Sequence, residues 1–211
     1  MTNFIPIFPL SIIVYPGEEL NLHIFEPRYR QLILDSQLQK KPFGIPVVLN
    51  DTVSELGTIV EIVEISKTYD NGKMDIKTRG VKIFRILEII KQVPDKLYSG
   101  AIVNYPVNSD FGNAELMKKV IQGINALHKL LNLGKEFGKK QEELISYDVA
   151  HHAALTPAEE YELLSLFTEL QRQEYLKRHL TTLLPIVSEM ELLKEKVKLN
   201  GHFKNLSGFN I

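Results

Sequence analysis

Residues 20–30 read Leu20-Asn21-Leu22-His23-Ile24-Phe25-Glu26-Pro27-Arg28-Tyr29-Arg30 and contain the signals of both a strand and a helix. Its first half predicts a short β-strand, because apolar residues recur in a segment that a Pro-Gly turn precedes. Pro27 suits the first position of a helix, where its missing N–H is not needed. In the predicted helix one buried face is formed by Tyr29, Leu32, Ile33 and Ser36. The stretch therefore predicts a strand that ends at Phe25 and a helix that begins at Pro27.

The other segments before Pro106 also have the character of strands, because they are short, rich in β-branched residues and bounded by turns. They are Phe4 to Phe8, Ile12 to Tyr15, Gly44 to Leu49, Gly57 to Tyr69, Lys73 to Arg79, Val81 to Ile89 and Ser99 to Asn104. Asp70-Asn71-Gly72 predicts a hairpin, since Asn and Gly tolerate the positive φ of tight turns. So many short strands with one small helix predict a closed or nearly closed β-barrel.

After Pro106 the sequence changes to helical periods, across a polar stretch at 108–113 that predicts a boundary. One helix has its apolar stripe at Leu116, Val120, Ile124, Leu127 and Leu131 and is expected to end near Gly134. A second is predicted from Gln141 to Ala153. A third begins at Thr156-Pro157-Ala158-Glu159, which has the spacing of a capping box. Its predicted buried side consists of Tyr161, Leu164, Phe167 and Leu170.

A long final helix is predicted to end at Asn200-Gly201. Its expected inner face consists of Tyr175, Leu176, His179, Leu183, Ile186, Val187, Met190, Leu193 and Val197. Pro185 predicts a kink or a break, because it lacks the N–H of a helical hydrogen bond. The tail 201–211 keeps Phe203, Leu206 and Phe209, so we expect it to dock on the surface. The sequence thus predicts an α+β protein with a barrel subdomain over residues 1–108 and a helical bundle over 109–211.

Composition narrows the function classes. The chain has 211 residues, 44% of them hydrophobic, and a net charge of −1, so it can bury a core but has no global field for nucleic acid or an anionic membrane. It has no cysteine, which excludes disulfides and thiolate sites. No apolar run approaches the roughly 20 residues that span a bilayer. The start Met1-Thr2-Asn3-Phe4 lacks the features of a signal peptide, so we expect a cytoplasmic protein.

No motif for catalysis or metal binding stands out. The segment 134–140 approaches a phosphate-binding loop but has the wrong spacing and no terminal hydroxyl, and it is better interpreted as an exposed basic loop. No Gly-x-Ser-x-Gly motif occurs. His151 and His152 point about 100° apart on a helix and cannot easily share a metal ion. Glu159 and Glu160 suit the electrostatics of a helix start. We therefore expect no catalytic residue, no metal, no cofactor and no enzyme activity.

Several blocks, in order, resemble one family. Phe8-Pro9-Leu10, Tyr15-Pro16-Gly17 and Ile24-Phe25-Glu26-Pro27-Arg28-Tyr29 are similar to successive blocks of the Lon substrate-binding domain, particularly in its free-standing members. The strand blocks at 57–62 and 78–86 also resemble the family, and 155–160 resembles it more loosely. Ile83 and Asn21 depart from it, since a polar residue and a proline are usual there. The resemblance implies a PUA-like β-barrel followed by a helical bundle, and recognition of protein substrates. No counterpart of the Lon ATPase or peptidase modules occurs in the sequence.

The junction Phe25-Glu26-Pro27-Arg28-Tyr29 allows two interpretations. In the structural one, Phe25 and Tyr29 pack while the charges of Glu26 and Arg28 fix the turn between strand and helix. In the functional one, the junction lines a groove for peptide, because Arg and Tyr are favoured interface anchors. The candidate peptide-binding residues are His23, Phe25, Arg28 and Tyr29.

The leading hypothesis is a non-catalytic module that binds unfolded or extended polypeptides along a strand edge or an apolar patch. An adaptor or regulator of a protease or a chaperone is an alternative. RNA binding is another, with Lys135, Lys139 and Lys140 or Lys194, Lys196 and Lys198 as the basic candidates. A hydrolytic enzyme and a small-molecule pocket in the barrel remain as further alternatives, and the oligomeric state stays open.

Overall fold

The computed structural model describes residues 3–134 and 137–206, with side chains up to residue 198. The protein is α+β, as predicted, with a mostly antiparallel sheet followed by a helix-rich region. The chain forms two compact units, the first made of Met1–Asp110 and Ala154–Glu169 and the second of Phe111–Ala153 and Leu170–Ile211. The division into subdomains at residue 108 stays a prediction.

Six strands in the described part of the chain form one sheet. They are β1 (Asn3–Pro6), β2 (Glu19–Ile24), β3 (Phe43–Leu49), β4 (Thr52–Thr68), β5 (Met74–Ile90) and β6 (Gly100–Asn104). The strand order is β1-β6-β5-β4-β3, and β2 pairs with β5 outside this path. Every pair of neighbouring strands is antiparallel.

The segment after β1 closes this sheet on itself. Ile7 and Leu10 form parallel bridges with Gly44 and Val47 of β3. The Phe8 N–H donates to the Gly44 carbonyl at 2.8 Å, and the Val48 N–H donates to the Leu10 carbonyl at 2.8 Å. Since β1 begins the strand path and β3 ends it, these bonds join the two ends into a small barrel-like sheet. The barrel predicted from the sequence is therefore present.

The two strands predicted at 73–79 and 81–89 are one strand, β5, which runs through Gly80. A Cβ at Gly80 would lie 2.2 Å from the Tyr15 carbonyl oxygen, so glycine lets the ladder continue against a crossing backbone. The predicted strand Ile12 to Tyr15 is wrong, because this segment joins no ladder. Side chains bind its backbone instead: the Thr58 hydroxyl donates to the Val14 carbonyl, and the Glu18 carboxylate accepts from the Tyr15 N–H at 2.8 Å.

Helix α1 (Pro27–Gln39) buries the face that the sequence predicts, formed by Tyr29, Leu32, Ile33 and Ser36. Its apolar residues join the main core of the first unit. The Tyr29 ring stacks on Phe8 with the two centroids 3.9 Å apart. A second, smaller cluster contains Ile5, Ile7, Ile59, Phe84, Ala101 and Val103.

The second unit begins with α2 (Ala114–Leu130), whose N-cap Asn113 accepts from the Leu116 N–H at 2.9 Å. The helix ends at Leu130, earlier than the predicted Gly134. The single helix predicted over 141–153 is also wrong. Two 3₁₀ turns, Gln141–Glu143 and Ala150–His152, flank a short helix α3 (Ser146–Val149). The Asp148 carboxylate accepts from the Ile145 N–H at 3.0 Å, which starts a new helix at Ser146 and interrupts the run.

Helix α4 (Pro157–Leu164) begins with the predicted capping box. It stops at Leu164, where the Ser165 hydroxyl donates to the Glu162 carbonyl at 2.6 Å. The predicted buried side therefore extends too far, because Phe167 lies beyond the helix and Leu170 is largely exposed.

Helix α5 (Glu169–Leu206) is not broken at Pro185 and does not end at Asn200-Gly201. Its predicted inner face is correct for Leu176, which is fully buried. The face is wrong after Pro185, since Ile186, Met190, Leu193 and Val197 are exposed. The predicted docking of the tail lies outside the residues whose side chains are described. Within the described ranges no helix has the length and apolarity needed to cross a membrane.

Candidate functional site

A three-stranded arm extends from the barrel of the first unit. The first half of β5 lies between β2 on one side and the second half of β4 on the other. Leu20, Leu22, Ile62 and Ile65 turn towards the core that contains the apolar face of α1. The opposite face of the arm carries polar side chains, so one surface of the arm is packed and the other meets solvent.

The outer edge of β2 carries backbone groups that no strand satisfies. Pairing with β5 runs without a shift from Glu19↔Arg79 to Ile24↔Met74. The Gly80 N–H donates to the Glu18 carbonyl at 2.8 Å, which fixes the phase of the ladder. From that point non-hydrogen-bonded and hydrogen-bonded residue pairs alternate along β2 and β5. By this alternation the N–H and C=O groups of Glu19, Asn21 and His23 point away from β5. Within residues 3–134 and 137–206, β2 pairs with β5 alone.

At two of these outward positions the side chains contact β5 across the strands. Glu19 Oε1 lies 2.7 Å from an Arg79 nitrogen, and His23 Nδ1 lies 2.6 Å from Asp75 Oδ1. Non-hydrogen-bonded antiparallel pairs bring side chains closest, which agrees with the backbone alternation. These pairs are exposed and add little stability, but they fix the side chains that border the free edge.

An aromatic cluster lies where β2 ends. The Phe25 ring is 57% exposed and stacks beside His23 at 6.2 Å between centroids. The Tyr69 ring meets His23 edge-on at 5.8 Å, and its hydroxyl donates to Asp75 Oδ2 at 2.7 Å. The Lys67 ammonium lies 4.5 Å from the centre of the Tyr69 ring. This cluster combines a large exposed apolar ring with donors and both signs of charge.

Charge and hydrogen bonding perturb two groups of this cluster. The hydrogen bond from His23 lowers the pKa of Asp75 below its ordinary value, and the Tyr69 hydroxyl adds to the effect. The Asp75 carboxylate in turn raises the pKa of Tyr69, because it accepts a bond from the protonated phenol. Asp75 is therefore ionised at neutral pH and holds both rings in place.

Arg28 and Tyr29 form a second pair at the start of α1. The Arg28 guanidinium lies 4.5 Å from the centre of the Tyr29 ring and binds the Glu26 carboxylate at 2.7 Å. Tyr29 is buried, and burial raises the pKa of its hydroxyl. The structure thus brings His23 together with Phe25, and Arg28 together with Tyr29. Tyr29 contributes to the core, whereas Arg28 and Phe25 are exposed.

The hairpin turn between β4 and β5 is tied to α1. Arg30 donates through Nη1 to the Asn71 carbonyl at 2.7 Å. Gly72 has φ +77°, a conformation that side chains rarely adopt, and a Cβ there would lie 2.5 Å from Arg30 Nη1. The turn and its bond to Arg30 therefore set the position of Tyr69 and Asp75 relative to β2.

The other edge of the arm is irregular. Beyond Val60, β4 loses β3 as a partner and pairs with β5 alone among the described residues. Val63 and Ser66 form β-bulges, because the register on β5 shifts once between the two neighbours of each residue. A cleft of about 390 Å³ lies between this edge and the C-terminal end of α1. Bulges on an edge strand interrupt the regular row of backbone N–H and C=O groups with which another strand would pair.

A second cleft, of about 430 Å³, lies beside β1. Asp35 lines it and accepts from the Tyr98 hydroxyl and the Lys96 ammonium, each at 2.8 Å. The bond from Lys96 lowers the pKa of Asp35, while burial together with this carboxylate raises the pKa of Tyr98. In the described ranges no three His, Asp or Glu residues are grouped as metal ligands.

The sequence alone did not indicate Tyr69, Asp75 or Lys67 as members of the cluster. A signal was present in Asp70-Asn71-Gly72, because a hairpin turn brings the residues before and after it together. The hairpin pairs Thr68 with Met74 and Lys67 with Asp75 before the first β4 bulge is reached, so it brings Tyr69, Lys67 and Asp75 together. Their contact with His23 depends on the register of β2 on β5, which the turn does not indicate.

Comparison with known proteins agrees with this fold. A family model described as the ATP-dependent protease La (LON) substrate-binding domain matches residues 5–182. A Lon N-terminal domain protein from Xanthomonas campestris is similar in structure with a TM-score of 0.62 and 23% identity, over 82% of this chain and 96% of that one. The N-terminal domain of the Mycobacterium avium complex Lon protease gives a TM-score of 0.62 and 16% identity, over 85% of this chain and 98% of that one.

Proposed function

Because the chain belongs to the Lon substrate-binding domain family, we propose that it binds extended segments of other polypeptides and does not cleave them. Family membership supports a substrate-binding role. The free edge of β2 is the observation that supports the extended form of the ligand, since unpaired strand edges accept a further strand.

An extended segment would pair with β2 through the outward N–H and C=O groups of Glu19, Asn21 and His23. The inner side of β2 is held by β5 in unbroken register from Glu19 to Ile24, so the edge is regular over its whole length. Main-chain bonds depend little on the sequence of the ligand, which suits a module that accepts many polypeptides. Affinity from such a short edge is modest.

Side chains beyond the edge would add preference for apolar ligands. Phe25 and His23 offer ring surface at the end of β2, and burial of a large ring by a ligand is favourable. Arg28 provides a cation on the neighbouring helix start, where a carboxylate or a carbonyl can bind. Tyr29 belongs to the core, and its ring positions Arg28, whose guanidinium packs on it. The four candidate residues thus divide into three that face a ligand and one that positions them.

The β4 edge is the weaker candidate, although a cleft adjoins it. Its bulges at Val63 and Ser66 leave only short regular stretches, so an added strand could form few consecutive bonds. RNA binding receives less support, because Lys139 is bonded to Asp148 at 2.6 Å, and because Glu189, Glu191 and Glu195 are interspersed with the lysines at 194, 196 and 198. Lys135 lies outside the described residues. The two edges therefore provide a matched test.

The test measures binding of fluorescently labelled, reduced and carboxymethylated lactalbumin, a permanently unfolded polypeptide, by anisotropy. Asn21→Pro removes an outward N–H without removing a bond to β5. We expect about fivefold weaker binding, the effect of one lost main-chain bond of roughly 1 kcal/mol. Phe25→Ala should weaken binding by a similar or larger factor.

Val63→Pro is the matched control, because a bulge on the β4 edge tolerates proline, and it should bind like the unmodified chain. Thermal unfolding of each variant confirms that the fold is intact. Absence of binding at high micromolar concentration, with folded protein, would contradict the proposal. Equal losses in Asn21→Pro and Val63→Pro would remove β2 as the site, and binding that falls steeply with salt would favour nucleic acid.

A further inference from the structure

The exposed face of α5 after Pro185 has the spacing of a coiled-coil seam. Leu183, Ile186, Met190, Leu193 and Val197 follow one another at intervals of 3, 4, 3 and 4 residues. Written as a heptad, Leu183, Met190 and Val197 occupy a positions and Ile186 and Leu193 occupy d positions. Pro185 lies at a c position, outside the seam. Ile186, Met190, Leu193 and Val197 are 52%, 53%, 59% and 70% exposed.

Exposure of this row is unusual for a soluble protein, because such a stripe normally faces a core. Within the described side chains, which end at residue 198, no helix covers it. The row is continuous with the buried part of α5, where Leu176 and Leu180 pack inside the second unit. The same helix therefore turns from packing within its own unit to presenting an apolar strip of about 20 Å.

Charges beside the seam indicate what covers it. Glu189 lies at a g position and Lys194 at the following e position. In a parallel two-stranded coiled coil, g of one helix faces e of the next heptad on the partner, so Glu189 of one copy meets Lys194 of the other. Two-fold symmetry repeats this attractive pair on the opposite side of the seam. Lys194 now binds Glu191 at 2.6 Å, an exposed i, i+3 pair that can be exchanged at little cost.

We propose that α5 pairs in parallel with α5 of a second copy of this chain, through the seam 183–197. The pairing is independent of the β2 edge and of any polypeptide ligand. Two heptads are fewer than the three or four of a stable isolated coiled coil, so the dimer is weak and forms reversibly. Association is expected at micromolar protein concentrations.

Sedimentation equilibrium of the full chain, from about 10 to about 500 μM, measures the association. Glu189→Lys places lysine against lysine in both pairs, and Lys194→Glu places glutamate against glutamate. Each variant alone should associate about tenfold more weakly, because two attractions become two repulsions of a few tenths of a kcal/mol each. An equimolar mixture of the two variants restores both attractive pairs and should associate as well as the unmodified chain.

Glu195→Lys and Lys198→Glu are matched controls at f and b positions and should leave association unchanged. A chain that is monomeric at about 500 μM overturns the proposal. So does a dimer insensitive to Glu189→Lys, or one in which the mixture is no better than the single variants. A monomer that dimerises only after removal of residues 207–211 would assign the seam to the chain's own tail and overturn it equally. In an antiparallel pair Glu189 would face Lys196 of the other copy. Weaker association of Lys196→Glu would therefore overturn the parallel arrangement, and unchanged association supports it.

Discussion

His23 Nδ1 lies 2.6 Å from Asp75 Oδ1, across a pair of β2 and β5 residues whose backbone groups point away from each other. The two side chains link the free edge of β2 to the middle strand of the arm. The Tyr69 hydroxyl binds the other oxygen of Asp75 at 2.7 Å, so one carboxylate fixes two rings. Orientation of His23 beside the edge therefore depends on the charge of Asp75.

The titration of Asp75 tests this link. Its pKa lies below the ordinary value, mainly because His23 donates to it, so His23→Ala should raise the pKa. Tyr69→Phe should raise it by a smaller amount. A lowered folded-state pKa means that the interaction is fully present above the ordinary aspartate range and is lost as pH falls through the lowered value. Carboxyl ¹³C shifts followed from about pH 6 to pH 2 measure it. An unchanged Asp75 pKa in His23→Ala would show that the hydrogen bond from His23 does not stabilise the ionised carboxylate.

The hairpin turn provides a second prediction. Gly72→Ala should lower the free energy of unfolding by about 1 to 2 kcal/mol, because φ is +77° and the new methyl group would collide with Arg30 Nη1. Arg30 can move only by losing its bond to Asn71. Chemical denaturation measures the change. Gly134→Ala is the control, since nothing lies within 4 Å of its Cβ position, and it should be neutral within about 0.5 kcal/mol. Equal effects at both glycines would contradict the argument.

Local signals in the sequence were sufficient for much of the fold. The face of α1, the turn at Asp70-Asn71-Gly72 and the capping box of α4 each depend on neighbouring residues, and all three are present. Some of the failures involve distant partners. Ile12 to Tyr15 has strand composition, but the hydroxyl of Thr58, which is far away in the sequence, binds the Val14 carbonyl, and the nearby Glu18 carboxylate binds the Tyr15 N–H. Gly80 looked like a break because the carbonyl of Tyr15, which requires it, is 65 residues away.

The candidate site divides in the same way. His23 and Phe25 follow from their position in the strand before α1, and they lie together. Asp75 and Tyr69 are brought together by the hairpin between β4 and β5, and they join His23 because the register of β2 on β5 pairs His23 with Asp75. A one-residue shift would turn these side chains to the other face. Register is a property of the assembled sheet, which sequence patterns in single segments do not contain.

The start of α4 provides a third prediction. Thr156→Ala should destabilise the protein by about 1 kcal/mol, because its hydroxyl accepts from the Glu159 N–H at 3.3 Å as one half of the capping box of α4. Thr181→Ala is the control. Its hydroxyl only bonds back to the Lys177 carbonyl inside a helix, so alanine there should be neutral or slightly stabilising. Thermal unfolding of the two variants distinguishes them, and a Thr156 effect no larger than that of Thr181 would exclude the cap as a source of stability.

Arg172 supports the last prediction, since its side chain is fully buried in the second unit. Its Nε donates to the Ser146 hydroxyl at 2.8 Å, and its guanidinium lies 4.0 Å from the centre of the Tyr147 ring. Arg172→Ala should cost about 3 to 5 kcal/mol in unfolding free energy, because a large cavity and lost polar contacts add together. Arg172→Met, which keeps most of the volume, should cost less and separates the two causes.

Arg172→Lys should not restore stability, although it keeps the charge. Lysine has no planar group to stack on Tyr147 and places its ammonium differently from the guanidinium that reaches Ser146. Arg178→Ala, an exposed arginine on the same helix, is the control and should change stability by less than about 0.5 kcal/mol. If lysine at 172 is as stable as arginine, the buried charge alone holds the second unit together. If methionine is as stable, volume alone does so, and the stacking geometry has no energetic role.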